Sequence, residues 1–548
     1  MSTFGIFLAY PPKTELRAEG LGRLLAYLLK GGAARGDIRF VVACPSWMRD
    51  SLRMLCEAED VPIDSYEVLS PSSLPVSLRI HRMIERIDAA YRDLGRRRAA
   101  SRWRAASRLR GLREDVMRRL VSTHSALAFA GLSLTMLGLT TLLVVAVALH
   151  KLLVQWPSRA IAAATRRTRA GLSRNAQRLR SFVARPGDSG WGRRLYRELE
   201  TAEANLLAGM INARDDVEAW YCPTAFWPQF NLIERPRLLC VPDLVLSRMP
   251  ISFAMSTGHL GLETYRRICA TVRGARDIVV FSEDVKQRTL VEELGCAPER
   301  VHVIRHGSND LSALVAVRGS PDDAAATRDF CRHLLAEALT YATQPGYVAG
   351  FANRELRYLF CPTQARPNKN VLSLLRAYEY LLRRRGLAHK LVFTGDIAAI
   401  PEVGAFLVRT ELVNDALSLR GLSVQQLAAC YKLADVALNA SLFEGGCPFT
   451  LSESLSVGTP ALMGRIAVTG EVLDDPILES RMLFDPYDWR DIADKIEWAV
   501  DNRDALLQMQ LGACAPLLAR SWADAADDYA MLLARIAAEP GDRGNRDG

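Results

Sequence analysis

Short apolar runs alternate with longer stretches in which apolar residues recur at intervals of three and four. Phe4 to Ala9 (FGIFLA) and Ile38 to Cys44 (IRFVVAC) are two such runs, separated by a helical stretch from Glu19 to Leu29. This is the grammar of a parallel α/β sheet, whose strands are buried on both faces and so read as nearly continuous apolar segments. The pattern breaks off after residue 75 and resumes with Arg237 to Val241 (RLLCV), Asp277 to Phe281 (DIVVF) and Val301 to Ile304 (VHVI), which predicts one discontinuous α/β domain over 1–75 and 205–340. A second set, Tyr358 to Cys361 (YLFC), Leu391 to Thr394 (LVFT), Leu417 to Leu419 and Val436 to Leu438, predicts a second α/β domain over 341–500. Gly, Pro and Asp clusters place the connection between them within Leu311 to Glu355. Residues 501–548 are read as a C-terminal helix and a tail, disordered from Gly541, that carries no core residues.

The interruption, 76–204, has a different character. Val76, Ile80, Met83, Ile84, Ile87, Tyr91 and Leu94 recur at helical spacing, and ten arginines then fall between Gly95 and Leu120 against only Glu114 and Asp115. Lys151 to Arg185 carries nine basic residues and no acid, so the net charge of +9 is largely a local feature. Between the basic blocks, Ser125 to Leu149 runs 25 residues without a charge. At about 1.5 Å per residue that is long enough for a hydrocarbon layer of roughly 30 Å. Because the chain on either side belongs to one domain, a single crossing would separate its halves, whereas a hairpin turning near Gly131 to Gly138 returns the chain to its starting side. Positive flanks stay cytoplasmic and are drawn to anionic headgroups. The expectation is an antiparallel helical arm meeting an anionic membrane surface through 95–185. A buried hairpin or an oligomer interface, which would make the chain a homo-oligomer through the arm, is the alternative for the apolar run. A nucleic-acid reading of the arginines leaves that run unexplained, and no nucleic-acid partner is expected.

Composition narrows the class further. At 548 residues the chain exceeds a single core, and 49% hydrophobic with 24% charged residues is globular rather than disordered. The 11 cysteines are scattered without a CxxC pair, and the first apolar run is too short for a secretory signal. Reduced thiols and a location at the cytoplasmic face of the inner (plasma) membrane are expected. No metal-spaced His/Asp cluster is visible, so neither a metal nor another cofactor is expected.

The segment Ser441 to Pro460 (SLFEGGCPFTLSESLSVGTP) concentrates candidate chemistry: Glu444 precedes Gly445 and Gly446, a helix then carries Thr450 and Glu453, and Gly458-Thr459-Pro460 follows. Earlier, QARPNKN places Arg366 and Lys369 just after the first strand of the second domain. With Leu419 to Gly446, Leu483 to Asp488 (LFDPYD), Trp522 to Ile536, Val279 to Lys286 (VVFSEDVK) and His306-Gly307, this resembles retaining glycosyltransferase family 4, whose motif sets two glutamates around a glycine loop ahead of a GTP-like turn. The resemblance covers most of the chain outside the insertion. It implies the GT-B fold, α/β with two Rossmann-like domains facing a cleft, here with a long α-helical membrane-associated insertion in the N-terminal domain. It further implies a retaining, metal-independent hexosyltransferase that moves a sugar from a nucleotide sugar to an acceptor hydroxyl, a donor phosphate oxygen taking the acceptor proton. The arm makes a lipid-linked or membrane-proximal glycan the expected acceptor, as in surface polysaccharide or lipopolysaccharide assembly.

A nucleotide-diphosphate sugar needs its phosphate charge met, its ribose hydroxyls accepted and its sugar held while positive charge develops. Arg366 and Lys369 are the candidates for the diphosphate, helped by backbone N–H groups at Gly445, Gly446 and the helix start around Thr450. The resemblance gives Glu453 the ribose and Glu444 the donor sugar and its developing charge. Three departures stand out. Eight residues separate the glutamates instead of seven; Gln364 occupies the family's usual phosphate arginine position; and Pro242-Asp243 replaces a His-Asp pair. Asp243 is a candidate for contacting donor or acceptor hydroxyls, and Lys13, after Pro11 and Pro12, is read chiefly as a surface lysine. His306-Gly307 is either a donor-site element or a strand-ending turn; His259 is read as structural, and Cys447 has no neighbour that activates a thiolate. The rival readings are a catalytically silent scaffold of the same fold organising a membrane complex, a nucleotide-sugar epimerase and an α-glucan phosphorylase. No pyridoxal-bearing lysine context supports the last.

Overall fold

The structure, a computed structural model, describes residues 2–16, 20–83, 85–86, 131, 134, 138, 190–257, 259–344 and 356–539. By internal packing the chain divides into two units, Met1–Ser72 with Thr201–Gly548, and Ser73–Glu200. In the second unit, 76–83 is helical with Leu78 and His81 buried and Val76, Ile80 and Met83 exposed, and the His81 ring meets the Tyr196 hydroxyl at 3.1 Å. The expected Arg-rich stretch 95–185 lies outside the described residues, as does the apolar run 125–149 apart from positions 131, 134 and 138. Among the described residues no helix is long and apolar enough to cross a membrane.

The first unit holds two parallel sheets. The first consists of β1 (Ser2–Phe7), β2 (Ile38–Ala43), β3 (Tyr66–Leu69), β4 (Ala219–Cys222), β5 (Arg237–Cys240), β6 (Asp277–Val280) and β7 (Val301–Val303), in the spatial order β3-β2-β1-β4-β5-β6-β7. Strands β8 (Tyr358–Cys361), β9 (Lys390–Phe393), β10 (Ala416–Ser418), β11 (Val436–Asn439), β12 (Ala461–Gly464) and β13 (Leu483–Phe484) form the second, in the order β10-β9-β8-β11-β12-β13. Within both sheets every described pairing is parallel, with Phe4 opposite Phe40 on one side and Ala219 on the other, and Ala437 opposite both Phe360 and Ala461. In both sheets the winding reverses beside the first strand, between β1 and β4 and between β8 and β11. Such a switch point opens a crevice at the carboxyl ends of the strands, where ligands of open α/β sheets bind.

Among the helices are α1 (Gly20–Arg35), α2 (Gly190–Asn212), α3 (Asp323–Leu339), α4 (Val371–Tyr380), α5 (Val424–Leu433), α6 (Phe449–Ser456) and α7 (Trp522–Ala538). Their starts are written locally. Ser423 and Gln426 form a reciprocal capping box on α5, Ser521 and Asp524 do the same on α7, and Asp322 caps α3 through the Ala325 N–H. Cys331, Leu334, Leu335 and Ala338 of α3 are buried in the core of the second sheet, together with Leu359, Phe360, Leu391 and Tyr431. The C-terminal α7 returns to the first sheet's domain, where Tyr529 meets Tyr221 of β4 edge-on at 5.2 Å and Trp522 stacks on Tyr27 of α1 at 5.0 Å. The approach of α1 to α7 is close enough that a Cβ on Gly31 would lie 2.4 Å from the Trp522 carbonyl oxygen.

Candidate functional site

Both halves of the QARPNKN/FEGG pair leave the carboxyl ends of adjacent strands, β8 and β11. Pro367 starts a 3-10 turn over Pro367–Lys369, and Asn370 ends it in the left-handed region at φ 52° while donating to the Pro486 carbonyl at 2.6 Å. The turn is tied to the loop beyond β11 by the Leu442 N–H donating to the Asn368 carbonyl (2.8 Å) and by Asn368 Nδ2 donating to the Phe443 carbonyl (3.3 Å). Held this way, Lys369 Nζ forms an ion pair with Glu444 Oε1, with the two side chains 21% and 16% exposed. Arg366, exposed at the head of the turn, acts with Lys369 on Asp243, which follows β5 on the other sheet.

Asp243 opens to solvent, yet the Gly445 loop packs directly beside it. This low-dielectric setting, and then the negative charge of Glu444, raise its carboxyl above the ordinary aspartate range against the opposing pull of Arg366 and Lys369. The glycine pair is what lets these groups meet. A Cβ on Gly445 would lie 1.7 Å from the Pro242 carbonyl oxygen, and one on Gly446 would lie 2.9 Å from Phe281 Cβ and 3.1 Å from His306 Nε2. Ser282 Oγ donates to the Gly445 carbonyl at 2.9 Å. The loop is thus seated on the carboxyl ends of β5, β6 and β7, and both glycines serve that contact.

His306 packs against Phe281 at 3.9 Å and Phe449 at 5.0 Å. Burial, with a further push from Arg520, lowers its pKa to about 3, so the imidazole beside Gly446 is neutral near neutrality. With Cys447, Pro448 and Glu471, these rings line a shallow recess. Its lining includes none of Lys369, Glu444, Asp243 or Glu453. Burial raises the Cys447 thiol to about 12, which leaves it protonated. Lys13 is exposed at φ 75°, His259 opens the helix His259–Gly274, and Thr450 is buried in the first turn of α6.

Glu453 sits one turn further into α6, buried at 3% exposure. Its Oε1 accepts from Arg23 Nη2 of α1 at 2.8 Å and from Asn309 Nδ2 at 2.9 Å, and its Oε2 accepts from the Tyr431 hydroxyl at 3.0 Å. Burial, and then the adjacent carboxylate, push the Tyr431 phenol well above its ordinary value and keep it a donor. Burial alone would lower the Arg23 pKa, but the charge of Glu453 and the Tyr27 hydroxyl reverse this, so the guanidinium is firmly protonated. Asn309 Oδ1 in turn accepts from Trp522 Nε1 at 2.8 Å. The structure therefore brings Glu444, Lys369, Arg366, Asp243, Gly445 and Gly446 to one place, and surrounds Glu453 with donors from α1, α5 and the segment after β7. Arg23 and Asn309 were not singled out in the sequence, and Trp522 only as the start of the Trp522 to Ile536 stretch: Arg23 and Asn309 carry no motif, and the meeting of the three depends on α7 folding back on α1. Among the described residues no group of three His, Cys, Asp or Glu side chains is arranged to hold a metal ion.

Several solved structures share this architecture. A glycosyltransferase from Rickettsia africae ESF-5 superposes with a TM-score of 0.51 at 11% identity, covering 98% of this chain and 99% of its own. Anabaena HepE in complex with UDP and glucose gives 0.52 at 11%, covering 98% and 100%. The N-terminal domain of Candida albicans trehalose-6-phosphate phosphatase gives 0.52 at 10%, covering 98% and 97%. At such identities the likeness is one of fold, a GT-B arrangement of two parallel sheets. No curated protein matches the chain by sequence. Residues 350–513, which deliver Arg366, Lys369, Glu444 and Glu453, match the family model of glycosyl transferases group 1, and the chain carries that domain within a GT-B fold.

Proposed function

We propose that the protein is a retaining, family 4-like hexosyltransferase that moves a sugar from a nucleotide-sugar donor to an acceptor hydroxyl. The observation that carries this reading is the Lys369–Glu444 pair, set on the glycine loop against Asp243 at the switch-point ends of two parallel sheets. Fixed charges on one wall and a carboxyl of raised pKa on the other suit a diphosphate leaving group and an electron-poor anomeric carbon. Arg366, Lys369 and the N–H groups at Gly445, Gly446 and the start of α6 would meet the diphosphate without a metal. Glu444 would offset charge on the sugar, and a donor phosphate oxygen would take the acceptor proton. UDP-sugars are the first donors to try, since Anabaena HepE, of like fold, is in complex with UDP and glucose. The Arg-rich, apolar-centred sequence of 95–185 argues for a lipid-linked or membrane-proximal glycan acceptor in surface polysaccharide or lipopolysaccharide assembly, at the cytoplasmic face of the inner membrane.

The test is turnover of UDP-, GDP- and ADP-sugars in EDTA by wild type and Glu444→Gln. One donor should be consumed by the wild type, with the variant slower by about 10²- to 10³-fold. Loss of all turnover in EDTA alone would overturn metal independence. A silent scaffold is favoured by one observation, the filling of Glu453 by protein donors. Absence of binding of any nucleoside diphosphate to the folded protein would select it.

A further inference from the structure

The group 1 resemblance leaves a cation missing from the second-sheet wall of the cleft: position 364 is an exposed glutamine, and Lys369 is engaged by Glu444. A diphosphate brings at least two negative charges, and among the described residues of that wall Arg366 and a Lys369 shared with Glu444 leave them incompletely met. The opposite wall supplies a cation at an unexpected place. Arg23 lies in the second turn of α1, and its Nη2 reaches 2.8 Å from Glu453 Oε1 and 3.1 Å from the Tyr27 hydroxyl. A guanidinium carries five N–H donors in a rigid fork. Here Nε is buried with no hydrogen-bond partner, although buried donors are nearly always satisfied. The side chain as a whole keeps 21% exposure. It is thus a protonated, incompletely satisfied fork fixed beside the carboxylate that the resemblance gives to the ribose.

We infer that Arg23 is a nucleotide-binding residue, the contribution of the first sheet's domain to the donor diphosphate, standing in for the cation absent at 364. The inference rests on the nucleotide-sugar reading above. The α-phosphate is only three bonds from the ribose ring, so a donor whose ribose reaches Glu453 brings its phosphate within range of a guanidinium already touching that carboxylate. Glu453 and Tyr27 hold the fork in place before the donor arrives, and Arg23 then shares its remaining donors with the phosphate. Because α1 belongs to the first sheet and α6 to the second, the nucleotide is gripped from both.

The experiment is calorimetric titration of UDP, GDP and ADP, with uridine, guanosine and adenosine as phosphate-free controls, into wild type, Arg23→Ala and Arg23→Lys. Thermal melts first establish that each variant is folded. Arg23→Ala should weaken the diphosphate that wild type prefers by about tenfold or more, leave the matching nucleoside within about twofold, and be partly rescued by Arg23→Lys, which keeps the charge without the fork. Equal or tighter diphosphate binding by Arg23→Ala overturns the inference and makes the Arg23–Glu453 contact a clasp alone; equal weakening of nucleoside and diphosphate overturns it in favour of ribose support through Glu453. No diphosphate binding by wild type sinks both this inference and the reading it rests on.

Discussion

At the scale of single residues, the site is governed by what burial does to charge. His306 is held neutral between Phe281, Phe449 and Trp522, with a folded pKa of about 3 against about 6.5 when exposed. The unfolded chain therefore binds the extra proton between those values, so this contribution is full above about pH 6.5 and is lost as pH falls toward 3. Unfolding free energies from urea titration should fall between pH 7.5 and pH 5 by up to about 2 kcal/mol more in wild type than in His306→Gln. Equal acid sensitivity would show that the ring is solvated. Much at this scale was legible in the sequence: Glu444 and Lys369 are named by a strand-end loop and a Pro-Asn-Lys turn, and the structure pairs them. The donors around Glu453 were not, because Arg23 sits on an ordinary amphipathic helix and no local pattern records that α7 turns Trp522 toward Asn309.

Among the elements, the buried strands of each sheet were largely read from their apolar runs, including β1, β2 and β5 to β11. The ones missed have physical reasons. Strand β3, YEVL, is a partly exposed edge strand with little apolar signal, and β13 is two residues long. β4, AWYC, and β12, ALMG, are fully buried runs of four that periodicity does not distinguish from helix. Helix ends are better specified than strands. Ser521→Ala removes the capping box of α7 and is expected to cost about 1 kcal/mol, seen as a drop in the thermal midpoint. Because α7 covers α1, the loss should also raise amide exchange in Gly20–Arg35; exchange confined to α7 would show that the two helices are energetically independent.

For the whole molecule, the glycine loop and α7 are two places where one sheet's domain is completed by the other's sequence. Deleting 521–548 strips Trp522 from Tyr27 and Tyr529 from Tyr221. The truncated chain is expected to lose protease resistance in β1, β2 and β4 first, while β8 to β13 stay protected, as read by mass spectrometry of early cleavage products. Simultaneous cleavage of both sheets would mean that they unfold as one unit. The expected arm rests on composition and pattern alone, since charge blocks and an uncharged run state a chemistry without stating a conformation.

The crossover from β3 to β4 has a consequence for how the protein is made. Central strand β1 finds one neighbour early, in β2, but its other neighbour begins at Ala219, and the helix that seals α1 begins at Trp522. At roughly 5–20 residues per second on the ribosome, the first domain waits about half a minute or longer for its last piece. The part of the chain synthesised first is therefore finished last. During that interval an unsealed apolar face stands exposed, so a chaperone that holds nascent chains should raise the yield of this protein more than slower overall expression does.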